Sequence, residues 1–133
     1  MTRNRTDTDY QPQDLLEGLA QGTETEVAGP LVISADGRRL RLPDGRDVTL
    51  MRRRSLRLLV LRLVEERLAR PGTALRVEAL LEAGWPGERM LPHAGQARVY
   101  VAISTLRRLG LSGVLQHTGG GYRLDPAREV RKG

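Results

Sequence analysis

The 133-residue chain has no cysteine and no phenylalanine, and its aromatic side chains are one tryptophan and three tyrosines. The absence of cysteine excludes disulfide bonds, thiolate metal ligands and cysteine nucleophiles. Long apolar runs are also missing, since the richest one, residues 56–64, is interrupted by Arg57 and Arg62. No segment therefore has the apolar length of a membrane span, and the N-terminus lacks the apolar region of a signal peptide. We expect a cytoplasmic protein that contacts no membrane.

Acidic charge is scarce over most of the chain. The formal net charge is +6, and the sequence pI is about 10.9. Residues 1–29 hold two arginines against six carboxylates, a net charge of −4, so residues 30–133 carry +10. Such a basic domain suits a polyanion as its partner. The basic residues are almost all arginine, with Lys132 the single lysine, and a GC-rich genome also produces that bias.

The length suits one domain with a tail at each end. We expect residues 1–29 to form an acidic, largely disordered tail, because they are polar and charged. Within it, residues 14–20 (DLLEGLA) form one weakly helical patch that could dock as a short helix. Residues 30–126 are predicted to form the folded domain, and residues 127–133 a basic C-terminal tail.

The first part of the domain is predicted to form a small antiparallel sheet. Three β-like runs occupy residues 31–34, 39–42 and 47–50. Asp36-Gly37 and Asp44-Gly45 separate these runs, and Asp-Gly pairs favour tight hairpin turns because they tolerate positive φ.

Three helices and a hairpin are predicted to follow this sheet. The first helix, 52–70, has Leu56 and Leu63 on one face but Leu58 and Leu61 on the other, so it must be covered on two sides. The other helices are predicted at 77–83 and 96–109, with a loop at 88–94, and the hairpin strands at 114–118 and 122–124. The inward stripe of the third helix is predicted to be Val99, Ala102, Ile103, Leu106 and Leu109. The predicted fold class is α+β.

Four short segments carry a recognisable pattern. They are residues 44–50 (DGRDVTL), Leu80-Leu81 ahead of Trp85, residues 98–108 (RVYVAISTLRR) and residues 119–124 (GGGYRL). In this order and spacing they resemble the OmpR/PhoB-type winged helix-turn-helix domain, the DNA-binding C-terminal effector domain of bacterial response regulators. The resemblance covers about three quarters of the chain. It implies an N-terminal antiparallel β-sheet, three helices and a C-terminal β-hairpin wing.

The resemblance also implies a function, namely sequence-specific double-stranded DNA binding by a small transcriptional regulator. The third helix enters the major groove in such domains, and the wing reaches an adjacent groove. The implied major-groove residues are Arg98, Val101, Ser104, Thr105 and Arg108. The implied phosphate and wing contacts are Arg76, Arg107, His117, Thr118 and Arg123, whereas Tyr122 is expected in the core. We expect a nucleoid-associated protein when DNA is bound, with a homodimer as one possible assembly.

Departures from the family pattern support a second hypothesis. Ala102, Ser104 and Thr105 stand where the family commonly has polar or basic residues. We also expect no receiver domain, because 29 residues are too few for one. The alternative is a winged-helix adaptor that binds a protein partner through the recognition-helix face, with Tyr100, Val101 and Leu58 or Leu61 as anchors. The partner would be RNA polymerase or another regulatory protein, and the loop 86–94 is a further contact surface under either hypothesis.

An arginine run marks the start of the first predicted helix. Arg52, Arg53, Arg54 and Arg57 lie where the helix dipole disfavours positive charge. A DNA phosphate backbone, an acidic partner or the acidic tail of the chain itself would offset this charge. The remaining alternative is a solvated surface run that genome composition has enriched.

Motifs for other chemistry are absent. His93 and His117 have no carboxylate or cysteine companions in the sequence, so we expect no metal site. No local motif suggests a catalytic triad or paired carboxylates. Gly119–Gly121 precedes a strand instead of a helix, so it is no phosphate-binding loop. We therefore expect no enzymatic activity and no cofactor.

Overall fold

Three helices and two small sheets make up residues 29–133, the part of the chain that the computed structural model describes. The fold class is α+β, as the sequence predicts. The helices are α1 (Arg54–Ala69), α2 (Val77–Gly84) and α3 (Pro92–Leu106), and α3 continues into a π-helical turn (Arg107–Leu111). The strands are β1 (Leu31–Ile33), β2 (Arg39–Arg41), β3 (Asp47–Thr49), β4 (Leu75–Arg76), β5 (Leu115–Thr118), β6 (Gly121–Leu124) and β7 (Val130–Lys132). None of these helices in residues 29–133 has the length and apolarity to cross a membrane.

The first sheet has the strand order β3-β2-β1-β7. Strands β1, β2 and β3 form the predicted antiparallel meander. Strand β7 runs parallel to β1, with Val130 opposite Leu31. The prediction of a tail at 127–133 is therefore wrong. Strand β7 pairs with β1, which would otherwise expose unpaired backbone groups at the edge of the sheet, and Val130 is buried. The tail predicted at 1–29 lies outside the described residues except for Gly29.

Asp-Gly pairs form both turns of the meander, as predicted. Gly37 has a φ of +78° and Gly45 a φ of +93°, which residues with a side chain rarely adopt. Gly37 is also packed closely, because a Cβ there would lie 2.7 Å from the Cγ of Leu61 on α1. Leu61 is thus half-buried beneath this turn. It cannot be the exposed anchor that the adaptor hypothesis assigned to it.

Helix α1 is covered by several elements, as its two-sided apolar pattern predicts. It contacts α2, α3, β6 and β7, and Leu59 and Leu63 are almost fully buried. One acidic residue, Glu66, is buried with them. Its carboxylate accepts hydrogen bonds from Arg70 at 2.8 and 2.9 Å and from Arg62 at 3.0 Å. These two guanidinium groups, Arg70 foremost, lower the pKa of Glu66 to about 2.

Helix α3 begins and ends earlier than predicted. It starts at Pro92 instead of residue 96, because proline suits the first helical position, where its fixed φ fits and no N–H is needed. Gly95 lets α3 approach α2, since a Cβ there would lie 2.6 Å from the Cδ2 of Leu81. The regular helix stops at Leu106, and Gly110 in the π-helical turn has a φ of +131°. The predicted stripe is buried except for residue 109, which is half-buried.

The second sheet has the strand order β4-β6-β5 and contains the predicted hairpin. Its turn is Gly119-Gly120, with φ values of +55° and +91°, as a type I′ turn requires. Gly121 begins β6, and a Cβ on it would overlap the carbonyl oxygen of Leu75 in β4. Tyr122 is buried, as predicted, and this burial raises the pKa of its hydroxyl.

Candidate nucleic-acid interface

Helix α3 exposes one face to solvent, because its other face packs in the core. Along this face lie Arg98, Val101, Ser104, Thr105 and Arg108, which we name the α3 outer face. Val101 is 65% exposed and is the apolar side chain of this face. The Thr105 hydroxyl donates to the carbonyl oxygen of Val101 at 3.0 Å. That proton is therefore used within the helix, and the Thr105 hydroxyl remains an acceptor.

Arg98 is held at the edge of this face by two neighbours. Its Nη1 donates to Oε1 of Glu88 at 3.0 Å, and its guanidinium carbon lies 5.7 Å from the ring centroid of Trp85. The pair is half-exposed, so the ion pair is weak and can exchange with another anion. Arg98 is thus available to a phosphate or a guanine, at the cost of displacing Glu88.

The two arginines at the end of α3 differ in their surroundings. Arg108 is exposed, and its Nη2 lies 3.3 Å from the hydroxyl oxygen of Thr105. Arg107 is half-buried, and its Nη2 donates to the carbonyl oxygen of Leu115 at 3.2 Å. The Arg107 guanidinium also lies 6.0 Å from the Tyr122 ring. Arg107 therefore joins the π-helical turn to the hairpin, whereas Arg108 projects from the α3 outer face.

The hairpin presents its predicted residues in different ways. His117 is exposed and stacks on Tyr122, with 4.8 Å between ring centroids. Thr118 is half-buried beside the glycine turn. Arg123 donates from Nη1 to the carbonyl oxygen of Gly72 at 2.7 Å and from Nε to the side chain of Gln116 at 2.8 Å. Arg123 thus fastens the hairpin to the loop after α1, and part of its guanidinium is already bonded within the protein.

The remaining predicted cations lie on other elements. Arg76 ends β4, its side chain is 83% exposed, and its Nε lies 3.5 Å from Oε1 of Glu78. Arg57 is half-buried and donates to the backbone carbonyl of Asp36 at 3.3 Å, so it supports the β1–β2 turn. Arg52, Arg53 and Arg54 are exposed at the start of α1. None of these three forms a salt bridge within residues 29–133.

An open groove of about 840 Å³ lies between the start of α1 and α3. We name it the α1–α3 groove. Small side chains on α3 create it, because Ala94 and Ala97 leave the space that larger residues would fill. Arginine side chains stand among the apolar ones. Its lining residues are Arg53, Arg54, Ser55, Leu56, Trp85, Ala94, Ala97, Arg98, Val101, Ala102 and Thr105.

The α3 outer face, the hairpin and the α1–α3 groove together form the candidate interface. The chain matches no protein-family model and no curated protein. Three residues of the α3 outer face, Arg98, Val101 and Thr105, also line the groove, and the fold brings Arg53 and Arg54 next to them.

The groove and the roles of Trp85 and Ala94 are not among the features predicted from the sequence. The sequence does hold one signal for the groove, because helical spacing of three and four places residues 94, 97, 101 and 105 on one face of a helix. Ala94 falls in the predicted loop, because the sequence predicts that the helix begins at residue 96. The approach of α1 to α3 is a tertiary contact that spacing along one helix does not encode.

Proposed function

We propose that the described domain is a winged helix-turn-helix of the OmpR/PhoB type that binds double-stranded DNA sequence-specifically, as a small transcriptional regulator. In this proposal α3 enters the major groove and the β5–β6 hairpin is the wing in an adjacent groove. The observation that carries it is the exposed α3 outer face, which bears Arg98 and Arg108 in a domain of net charge +10. The sequence resemblance described above supports the same assignment.

The proposed contacts divide by chemistry. Arg98 and Arg108 fork onto guanine or onto phosphate, and the Val101 methyl groups pack against a thymine methyl. Ser104 offers a hydroxyl to either kind of group, and Arg76 neutralises a phosphate. Because the α3 outer face carries only two arginines, much of the affinity must come from the net charge of the domain, and it must fall steeply with salt.

Binding-site selection from random DNA duplexes tests this proposal. We expect enrichment of a defined sequence, and we expect Arg108→Ala to weaken binding to that sequence by about 1–3 kcal/mol. Arg131→Ala is a matched control, because Arg131 is an exposed arginine of β7 outside the α3 outer face. The proposal is wrong if no sequence is enriched and binding to bulk DNA is no tighter than that of an equally basic control protein.

A protein-binding adaptor is the second candidate function, and two exposed side chains favour it. Val101 is 65% exposed and Tyr100 is 48% exposed, and exposed apolar side chains ringed by arginine are typical of protein interfaces. This function predicts a stoichiometric partner that survives nuclease treatment, is retained by Arg131→Ala and is lost with Val101→Glu. A partner that disappears with nuclease would instead indicate association through DNA.

A further inference from the structure

The α1–α3 groove combines an apolar lining with positive charge that the described residues do not offset. Arg53 and Arg54 stand at the N-terminal end of α1, where the helix dipole adds further positive potential. The first turn of α1 contains no acidic residue, and neither arginine forms a salt bridge within residues 29–133. A ligand that fits this groove must therefore be apolar on one side and acidic at its edges.

The N-terminal segment of the chain has this chemistry. In residues 14–20 (DLLEGLA), Leu15, Leu16 and Leu19 fall on one side of a helix, and Asp14 and Glu17 fall outside that stripe. The segment belongs to a stretch of net charge −4, whereas the rest of the chain carries +10. Seven residues that include a glycine are too short to be a stable helix alone. Such a segment would gain its helical structure by docking.

We propose that residues 14–20 dock in the α1–α3 groove of the same chain. The leucine side chains pack on the apolar wall beside Trp85 and Val101, and the carboxylates approach Arg53 and Arg54. This contact offsets the positive charge at the start of α1. It also covers Val101, which is the most exposed large apolar side chain of that wall.

The connecting segment is long enough for this contact. The described chain begins at Gly29, whose N–H donates to the carbonyl oxygen of Pro43 at 2.9 Å. The nine residues after Ala20 up to Gly29 can span roughly 30 Å when extended. A domain of this length has a radius of gyration of about 13 Å, so most of its surface lies within reach. Because the tether keeps the segment at an effective concentration in the millimolar range, a weak contact suffices.

Docking would regulate the proposed DNA binding, on which this part of the inference rests. Arg98, Val101 and Thr105 belong both to the α3 outer face and to the groove. DNA and the docked segment therefore compete for the same residues. The acidic segment thus acts as an autoinhibitory contact within the chain, and any event that displaces it raises the affinity for DNA.

The single tryptophan of the chain reports on the groove directly, because Trp85 lines it. In the full chain, Leu16→Glu/Leu19→Glu should shift the Trp85 emission to longer wavelength and increase its quenching by acrylamide. The matched control Thr23→Glu/Thr25→Glu adds the same charge outside the patch and should change neither. Val101→Glu should reproduce the fluorescence change from the groove side, because an exposed position tolerates the substitution. Circular dichroism melts check that all variants remain folded.

Measuring DNA binding by the same variants distinguishes the docking contact from the proposed function. Leu16→Glu/Leu19→Glu should bind the selected duplex about tenfold more tightly than the unaltered chain, although two added carboxylates alone would weaken binding. An unchanged Trp85 signal in both Leu16→Glu/Leu19→Glu and Val101→Glu would overturn the docking contact, whether or not the chain binds DNA. A Trp85 change without DNA binding by any variant would support docking and refute the proposed function. A Trp85 fluorescence change that grows with protein concentration would indicate that the segment of a second chain occupies the groove, and it would overturn docking within one chain.

Discussion

The buried carboxylate of Glu66 allows a stability prediction whose size follows from the structure. Its side chain is 6% exposed and is bonded to Arg70 and Arg62, and its pKa is lowered from 4.5 to about 2. A pKa difference of that size corresponds to about 3 kcal/mol. Solvent screens part of this, because the Arg70 side chain is 63% exposed. We therefore expect Glu66→Gln to cost about 1–2 kcal/mol at pH 7.

The pH dependence of unfolding gives the sign of the Glu66 contribution. A carboxylate whose pKa is lowered on folding stabilises the protein fully above pH 4.5, and this stabilisation is lost as the pH falls toward 2. The free energy of unfolding, measured by urea titration at several pH values, should therefore converge for wild type and Glu66→Gln near pH 2. The two free energies of unfolding should differ most above pH 5.

Glu129→Gln is the control for this experiment. Glu129 also accepts a hydrogen bond from an arginine, Arg131, at 2.8 Å, but both side chains are about 60% exposed, so its loss should cost less than about 0.5 kcal/mol. Equal destabilisation by Glu66→Gln and Glu129→Gln at pH 7 would refute the argument from burial. A pH profile of Glu66→Gln that stays parallel to that of wild type would refute the linkage.

Three further predictions concern the hairpin and the α3 outer face. Gly121→Ala should destabilise the domain by about 1–3 kcal/mol in urea unfolding, because its Cβ would overlap the neighbouring strand; an unchanged midpoint would contradict this packing. Arg123→Ala should lower stability by about 1–3 kcal/mol through two lost hydrogen bonds, yet change DNA affinity far less than Arg98→Ala in the same binding titration. Glu88→Gln should tighten DNA binding by up to about 1 kcal/mol, because it releases Arg98 and removes a repelling charge; weaker binding would argue against a DNA contact by Arg98.

Local signals accounted for much of the fold. The Asp-Gly turns, the β-like runs and the apolar periodicity of α1 are properties of neighbouring residues, and all three were predictable. The burial of Tyr122 also followed from the sequence. The start of α3 did not, because a proline such as Pro92 is typical of a loop and is equally suited to the first turn of a helix.

The residues of the candidate site were predictable from the sequence. Which of their side chains are free to contact a ligand was less predictable. The α3 outer face follows from helical periodicity, so Val101 and Arg108 could be predicted as exposed. Arginines that look alike in sequence differ once the chain folds, because Arg123 reaches a carbonyl oxygen 51 residues away and Arg57 reaches one 21 residues away. Such contacts depend on the packing of distant elements.

Spacing and turn chemistry within short segments of the sequence predict the α+β class, the order of the meander, the three helices and the hairpin, and the side of α3 that faces outward. Three features depend on the packing of distant parts of the chain: residues 130–132 complete the first sheet, Arg123 is bonded within the protein, and the start of α1 meets α3. The last of these contacts creates the α1–α3 groove. A groove between two helices depends on how closely they pack, and here small alanine side chains on α3 leave it open beside exposed arginines.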